Sequence, residues 1–163
     1  MVEAAKRAYV YDVLPRETIS GTTGRQVLDA IVDGRLPQAP ISQVLNFWLT
    51  EVGDGVAVFE GEPAAHLLNP VGIVHGGWAL TLMDSAGACA AHSLLPSGIG
   101  YATLETKGNF SRPIAPQTGL VRAEARVVSG GRQIISAEVH VFGPDRKVMA
   151  HGTTTVLVLG GAK

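Results

Sequence analysis

One stretch of the sequence, His75-Gly-Gly-Trp-Ala-Leu-Thr-Leu-Met-Asp84, decides both the fold and the chemistry expected of this chain. A histidine and two glycines precede a long apolar run, which is typical of a turn that leads into a buried helix. Asp84 is the only Asp, Glu, Lys or Arg between Glu62 and Glu105. A carboxylate in apolar surroundings loses hydration, and no charged neighbour in sequence compensates for that loss. We therefore expect Asp84 to be paired from elsewhere in the fold or used in chemistry.

The composition limits the size and the class of the protein. With 163 residues, 46% of them hydrophobic and 17% charged, the chain is long enough for one sizeable core and short for two. A net charge of -1 argues against nucleic-acid binding, which relies on clustered Lys and Arg. The single cysteine, Cys89, excludes an intrachain disulfide and is expected to be a packing residue in a reducing cytoplasm.

Neither a targeting segment nor a membrane span is expected. Charged residues interrupt the first 13 positions, which lack the apolar core of a signal peptide. Residues 76–95 are about as long as a span of ~20 residues, but they include Asp84 and are rich in alanine and glycine. A core helix fits this stretch better, and we predict a cytoplasmic protein.

Hydrophobic periodicity predicts the elements of the first half of the chain. Residues 1–40 are punctuated by Gly and Pro and contain one helical stripe, which ends at Gly34 and consists of Val27, Leu28, Ile31 and Val32. Residues 41–62 are predicted to form a β-hairpin around the turn Gly53-Asp54-Gly55. The central helix is predicted over about 76–94, and its apolar circumference indicates burial on more than one side.

From Tyr101 onward, apolar and polar residues alternate with a period of two. Four consecutive antiparallel strands joined by short turns are predicted, at 101–112, 121–127, 135–141 and 148–156. The apolar face of this sheet has to cover another element, and only the central helix has a matching character. The pattern predicts an α+β protein with the hotdog fold, in which the sheet wraps around the helix. Residues 1–40 are then an N-terminal helical extension and residues 41–163 the main domain.

The start of the central helix has the chemistry of an oxyanion site. Backbone N–H groups at a helix N-terminus lack intrahelical partners, and those of Gly76 and Gly77 are able to hold the charge that develops on an attacked carbonyl. A plain helix start is the alternative for this turn taken alone. Asp84 favours the oxyanion site over a plain helix start, because a carboxylate is the nucleophile or base that acyl transfer also requires.

The spacing of these groups predicts an assembly. Gly76 and Asp84 are eight residues apart, which is ~12 Å along a helix. The groups that act on one carbonyl have to lie ~3 Å from the reacting atoms. Two antiparallel copies of the helix would bring Gly76 of one chain near Asp84 of the other, so a catalytic site requires an obligate homodimer. A buried structural carboxylate is the alternative for Asp84.

Asn69 to Asp84, together with Leu104 to Pro113 and Gly119 to Leu159, resembles the hotdog-fold acyl-CoA thioesterases of the phenylacetate-degradation type. The resemblance spans about residues 40–159, and the turn and helix are its most specific part. It implies hydrolysis of an acyl-CoA thioester to a free acid and coenzyme A, without a cofactor. It also implies a homodimer that pairs into a dimer of dimers.

The resemblance assigns roles to individual residues. The N–H of Gly76 would polarise the thioester carbonyl, and Asp84 would act as nucleophile or as general base. Asn69, six residues before the histidine of the motif, would help to hold the thioester or the water. The hydroxyl that binds the carboxylate or the water falls on Thr103. His75 and Gly77 are expected to contact substrate, with a turn-shaping role as the alternative for His75.

The remaining polar residues carry weaker signals. The other histidines show no metal-ligand spacing, so a metal site is not expected. Basic side chains on the strands either meet the phosphates of coenzyme A or form an ordinary solvated face, namely Lys107, Arg112, Arg122, Arg126 and Arg132. Trp78 and Phe110 either line the acyl pocket or belong to the core.

Two other functions compete with hydrolysis. A hotdog hydratase or dehydratase needs a paired acid and base, and His92 is eight residues beyond Asp84, on the wrong turn to share its substrate atom. A non-catalytic acyl-CoA-binding protein has no need for a carboxylate in an apolar helix. Release of free thiol from acyl-CoA substrates distinguishes these functions.

Overall fold

A long helix lies against a six-stranded antiparallel sheet in the computed structural model, which describes residues 8–160. Its α-helices are α1 (Arg16–Gly21), α2 (Gly24–Val32), α3 (Pro40–Leu45) and α4 (Gly76–His92). The strands are β1 (Phe47–Gly53), β2 (Val56–Gly61), β3 (Gly100–Phe110), β4 (Val121–Gly130), β5 (Ile134–Phe142) and β6 (Val148–Leu159). Two short 3-10 turns complete the elements, at Ala65–Leu67 and Pro116–Thr118.

The helix α4 is buried on several sides, as its apolar circumference predicts. Leu82, Met83 and Ala86 are fully inaccessible, and α4 contacts every strand of the sheet. Small residues allow the close approach: a Cβ on Gly87 would lie 2.5 Å from the side chain of Thr154 on β6. The sheet therefore wraps around this helix, and the predicted α+β hotdog fold is confirmed.

The order of the strands differs from the sequence-based expectation in one respect. The sheet runs β1-β2-β4-β5-β6-β3, so β3 pairs with β6 and not with β4, which follows it in the chain. A connection of about ten residues, 111–120, carries the chain from one edge of the sheet back to its middle. Alternation identifies strands, but it does not specify which strand lies beside which. The result places β1 and β3 at the two edges.

The first half of the chain contains the predicted α2, two further helices and a shorter hairpin. Thr23 caps α2 through a reciprocal hydrogen bond with Gln26, and Val27 and Leu28 are buried. The region 41–45, predicted as strand, is α3 instead. Pro40 starts this helix and Asn46 ends it in the left-handed conformation, at φ 54°. The hairpin of β1 and β2 follows around the predicted turn.

The N-terminal segment is fixed to the body of the protein at separate points. The N–H of Gly24 donates to the carbonyl of Leu95, beyond the end of α4, at 3.0 Å. The buried side chain of Gln38 donates to and accepts from the backbone of Leu49 on β1. Arg25 forms an ion pair with Asp54 in the hairpin turn.

No helix within residues 8–160 is long and apolar enough to cross a membrane.

Candidate active site

His75 is the N-cap of α4 and forms a local hydrogen bond. Its Nδ1 accepts from the N–H of Gly77 at 2.9 Å, and with Nδ1 accepting, a neutral ring carries its proton on Nε2. This is the turn-shaping role that the sequence left open for His75. The Gly77 N–H, predicted as a second oxyanion donor, is committed within the turn and is not free for a substrate.

Gly76 keeps its backbone donor available. As the first residue of α4 it has no intrahelical acceptor, and none of residues 8–160 accepts from its N–H. The ring of Phe110 lies against it, so that a Cβ at position 76 would come 3.1 Å from the ring. Gly76 also lines a cavity of about 290 Å³, together with Ala79, Phe110, Arg112 and Ile114.

Asn69 organises the loop that precedes α4. Its Oδ1 accepts from the N–H groups of Val71 and Ile73, both at 3.1 Å, and its own N–H donates to the carbonyl of Ile73 at 2.7 Å. The loop also contains Gly72, which adopts a φ of 82°. The turn-forming role of Asn69 is thus carried by its carbonyl oxygen. Its Nδ2 donates to none of the residues that the structure describes, and that donor remains for a ligand.

Asp84 lies half-buried on α4 and accepts a hydrogen bond from a hydroxyl. Thr106 Oγ1 on β3 donates to Asp84 Oδ1 at 3.0 Å and lies 3.3 Å from Thr154 Oγ1, which in turn contacts the carbonyl of Met83. No Lys, Arg or His within residues 8–160 forms an ion pair with this carboxylate. Among the residues that the structure describes, Asp84 is therefore a carboxylate held by one hydroxyl and uncompensated in charge.

The hydroxyl beside Asp84 belongs to Thr106 and not to Thr103, where the family resemblance placed it. A β-bulge interrupts the pairing of β3 with β6 between Thr103 and Glu105. Because a bulge inserts one residue, it reverses which side chains face α4 beyond that point. Thr103 is exposed, whereas Thr106 faces the helix. No sequence pattern marks this bulge, so sequence reasoning misses Thr106.

Cys89 and His92 lie further along α4, where they do not provide a nucleophile or an acid. Burial, and secondarily the charge of Asp84, raise the pKa of the Cys89 thiol to about 12, so the thiol stays protonated at neutral pH. Burial lowers the pKa of His92, whose ring lies 4.8 Å from that of Tyr101.

No cluster of three or more potential metal ligands occurs in the described part of the chain.

Two arginines on the outer face of the sheet have carboxylate partners. Arg122 forms ion pairs with Glu51, Glu60 and Glu124, and Arg146 also pairs with Glu124. Arg112 differs, because it lines the cavity in front of Gly76 while donating to the carbonyl of Val148. The solvated-face alternative thus applies to Arg122, whereas Arg112 lines the same cavity as Gly76.

The architecture and the helix-start donor define a hotdog-fold protein, and comparisons with known proteins give the family. The family model of the Thioesterase superfamily matches residues 71–150. A conserved protein of Pseudomonas aeruginosa has 36% identity and a TM-score of 0.69, covering 74% of this chain and 94% of that one. The chain therefore belongs to the Thioesterase superfamily.

The chain is also similar to three further proteins. A mutant of the phenylacetic acid degradation protein PaaI from Thermus thermophilus has 30% identity and a TM-score of 0.65, covering 72% of this chain and 97% of that one. A Streptococcus mutans protein bound to acetyl-CoA has 26% identity and a TM-score of 0.64, covering 72% and 92%. A candidate esterase of Halobacterium salinarum is 39% identical over 75 residues, which are 45% of this chain and only 48% of that protein.

Proposed function

We propose that this protein hydrolyses acyl-CoA thioesters to a free carboxylic acid and coenzyme A. The observation that carries the proposal is that one helix has both a free N–H, at Gly76, and an uncompensated carboxylate, at Asp84. Membership of the Thioesterase superfamily and the acetyl-CoA bound by the Streptococcus relative support a coenzyme A thioester as substrate.

The two groups act on one carbonyl only if they come from different chains. Eight residues of helix separate them by ~12 Å. We infer a homodimer with two equivalent sites, each with Gly76 of one protomer and Asp84 of the other. The edge strand β3 supports this assembly, because it has an unpaired side among the described residues and carries the exposed Leu104 and Phe110. Pairing into a dimer of dimers and a cytoplasmic location stay predictions.

The thioester oxygen would accept from the Gly76 N–H and from Nδ2 of Asn69, which lies seven residues earlier in the chain. Both donors stabilise the negative charge on that oxygen as the tetrahedral intermediate forms. In one route the Asp84 carboxylate attacks the carbonyl carbon, the C–S bond breaks, and water then hydrolyses the mixed anhydride. In the other route Asp84 removes a proton from water, the resulting hydroxide attacks the carbonyl carbon, and the C–S bond breaks to release coenzyme A. Thr106 orients the carboxylate in both routes.

The decisive experiment combines loss of the carboxylate with subunit mixing. Asp84→Asn keeps the shape of the side chain but removes the nucleophile or base, so thiol release from acyl-CoA should be lost while binding remains. Wild-type rates in this variant would refute the mechanism.

Mixing Asp84→Asn with an inactive Gly76→Pro protein tests the shared site. With random exchange, half of the dimers are mixed and each has one intact site, so about a quarter of wild-type activity should return. Mass spectrometry verifies the exchange, and mixing two batches of Asp84→Asn is the control. No recovery after verified exchange would place the site within one chain.

A further inference from the structure

A second cavity lies beneath the N-terminal helices, close to the C-terminal end of α4. Its volume is about 370 Å³, and α2 forms its roof while α4, β1 and β2 form its floor. Most of its walls are aliphatic or aromatic side chains, including Leu28, Ile31, Leu49, Phe59 and Ile99. Protein interiors are packed with few voids larger than a water molecule, so an apolar space of this size is typical of a ligand pocket. We call it the roof cavity.

The roof is attached to the body on both sides of the cavity. At one end, Gly24 packs so closely on the end of α4 that a Cβ there would lie 1.9 Å from the carbonyl oxygen of His92. At the other end, the buried Gln38 side chain forms two hydrogen bonds of 3.0 Å with the backbone of Leu49. These attachments hold α2 in place, and the cavity lies under the middle of this helix.

The roof cavity lies close to the proposed catalytic carboxylate. Cys89 lines the cavity and is five residues beyond Asp84, ~7.5 Å along α4. Burial raises the pKa values of Cys89 and Tyr101, both of which line the cavity, and the negative charge of Asp84 raises them further. Asp84 and this part of the cavity wall are thus about one and a half helical turns apart along α4.

The lining determines which chemical group fits. The wall contains no Asp, Glu, Lys or Arg among the residues that the structure describes, and its histidine, His92, is kept neutral because burial lowers its pKa. A wall of this kind rejects charged groups and favours hydrocarbon, each methylene of which gains ~0.8 kcal/mol on leaving water.

We propose that the roof cavity receives the hydrocarbon chain of a straight-chain aliphatic acyl-CoA whose thioester lies at Asp84. The preferred substrates are then medium-chain acyl-CoA thioesters, in preference to acetyl-CoA. This inference rests on the proposed function, since the cavity can select a chain only if the thioester binds beside it. It also gives the N-terminal segment a role in substrate choice.

A filling substitution and a matched control test the inference. Ile31→Phe adds bulk inside the cavity, whereas Val13→Phe adds bulk in the same segment at a side chain that is 74% exposed. Each methylene of the acyl chain that no longer fits in the cavity weakens binding about fourfold. If Ile31→Phe excludes two methylenes, the ratio of kcat/KM for decanoyl-CoA to kcat/KM for butanoyl-CoA should fall about 15-fold. Val13→Phe should leave this ratio unchanged. An unchanged ratio in a folded Ile31→Phe protein would overturn the inference.

A binding measurement separates this inference from the proposed function. Calorimetry with decyl-CoA and butyl-CoA thioethers, which resist hydrolysis, should show tighter binding of the decyl compound by wild type and a smaller difference for Ile31→Phe. Absence of any Asp84-dependent hydrolysis would refute the proposed function, whereas equal affinities for the two thioethers would refute the cavity inference. If Ile31→Phe does not fold, Ile31→Ala enlarges the cavity and should shift the preference to longer chains; an unchanged preference would refute the inference.

Discussion

Removing one backbone donor tests the oxyanion role of Gly76 without disturbing the helix. Gly76 is the first residue of α4, where proline is favoured because the missing N–H has no intrahelical partner. The preceding residue, His75, has φ -59° and ψ 131°, a conformation that a following proline accepts. Gly76→Pro therefore deletes the donor and preserves the start of the helix.

The structure also supplies a control for the added bulk. A Cβ at position 76 would contact the end of the Phe110 ring at 3.1–3.3 Å, so a shift of the ring by a few tenths of an ångström accommodates it. Gly76→Ala adds that Cβ but keeps the N–H, so it should retain most of the wild-type rate.

Loss of one oxyanion donor costs on the order of 100- to 1000-fold, equivalent to ~2.7–4 kcal/mol of transition-state stabilisation. We expect kcat/KM for thiol release to fall by this factor in Gly76→Pro relative to Gly76→Ala, with similar melting temperatures for the two variants. The assay is colorimetric detection of coenzyme A under conditions limited by kcat/KM. Equal kcat/KM values for the proline and alanine variants would show that the Gly76 N–H does not act on the thioester.

Three further outcomes are expected. Asn69→Asp keeps the acceptor for Val71 and Ile73 but removes the amide donor, so turnover should fall by about 100-fold at an unchanged melting temperature. Lower stability with normal turnover per folded molecule would show that Asn69 has only a structural role. Thr106→Val removes the donor to Asp84 and should lower kcat/KM by roughly tenfold or more. Thr106→Ser and Thr103→Val should not lower it, and equal effects at positions 103 and 106 would contradict the assignment of Thr106 as the hydroxyl that binds Asp84. Burial raises the pKa of Cys89 from an ordinary value of 9.0 to about 12, so iodoacetamide at pH 8 should alkylate the native protein about 1000-fold more slowly than the urea-unfolded chain. Comparable rates would show that the thiol is accessible and ionised.

The sequence predicts the elements whose periodicity is strong and local. The central helix follows from its uninterrupted apolar run, and the later strands follow from alternation over seven or more residues. The short helices α1 and α3 have six residues each, too few to establish a period, and the hairpin prediction wrongly included α3. The division of the chain at residue 40 stays a prediction.

Some features of the candidate site are likewise evident from the sequence, and others appear only in the fold. The glycine turn and the isolated carboxylate are evident from the sequence, because each depends on residue type and on spacing along one helix. Two features were decided only by the tertiary structure: the position of Thr106 behind a bulge and the roof cavity between α2 and α4. Each depends on atoms brought together by packing or by strand register. Periodicity along the chain carries no information about such contacts, since it specifies which face of an element is apolar but not what lies against that face.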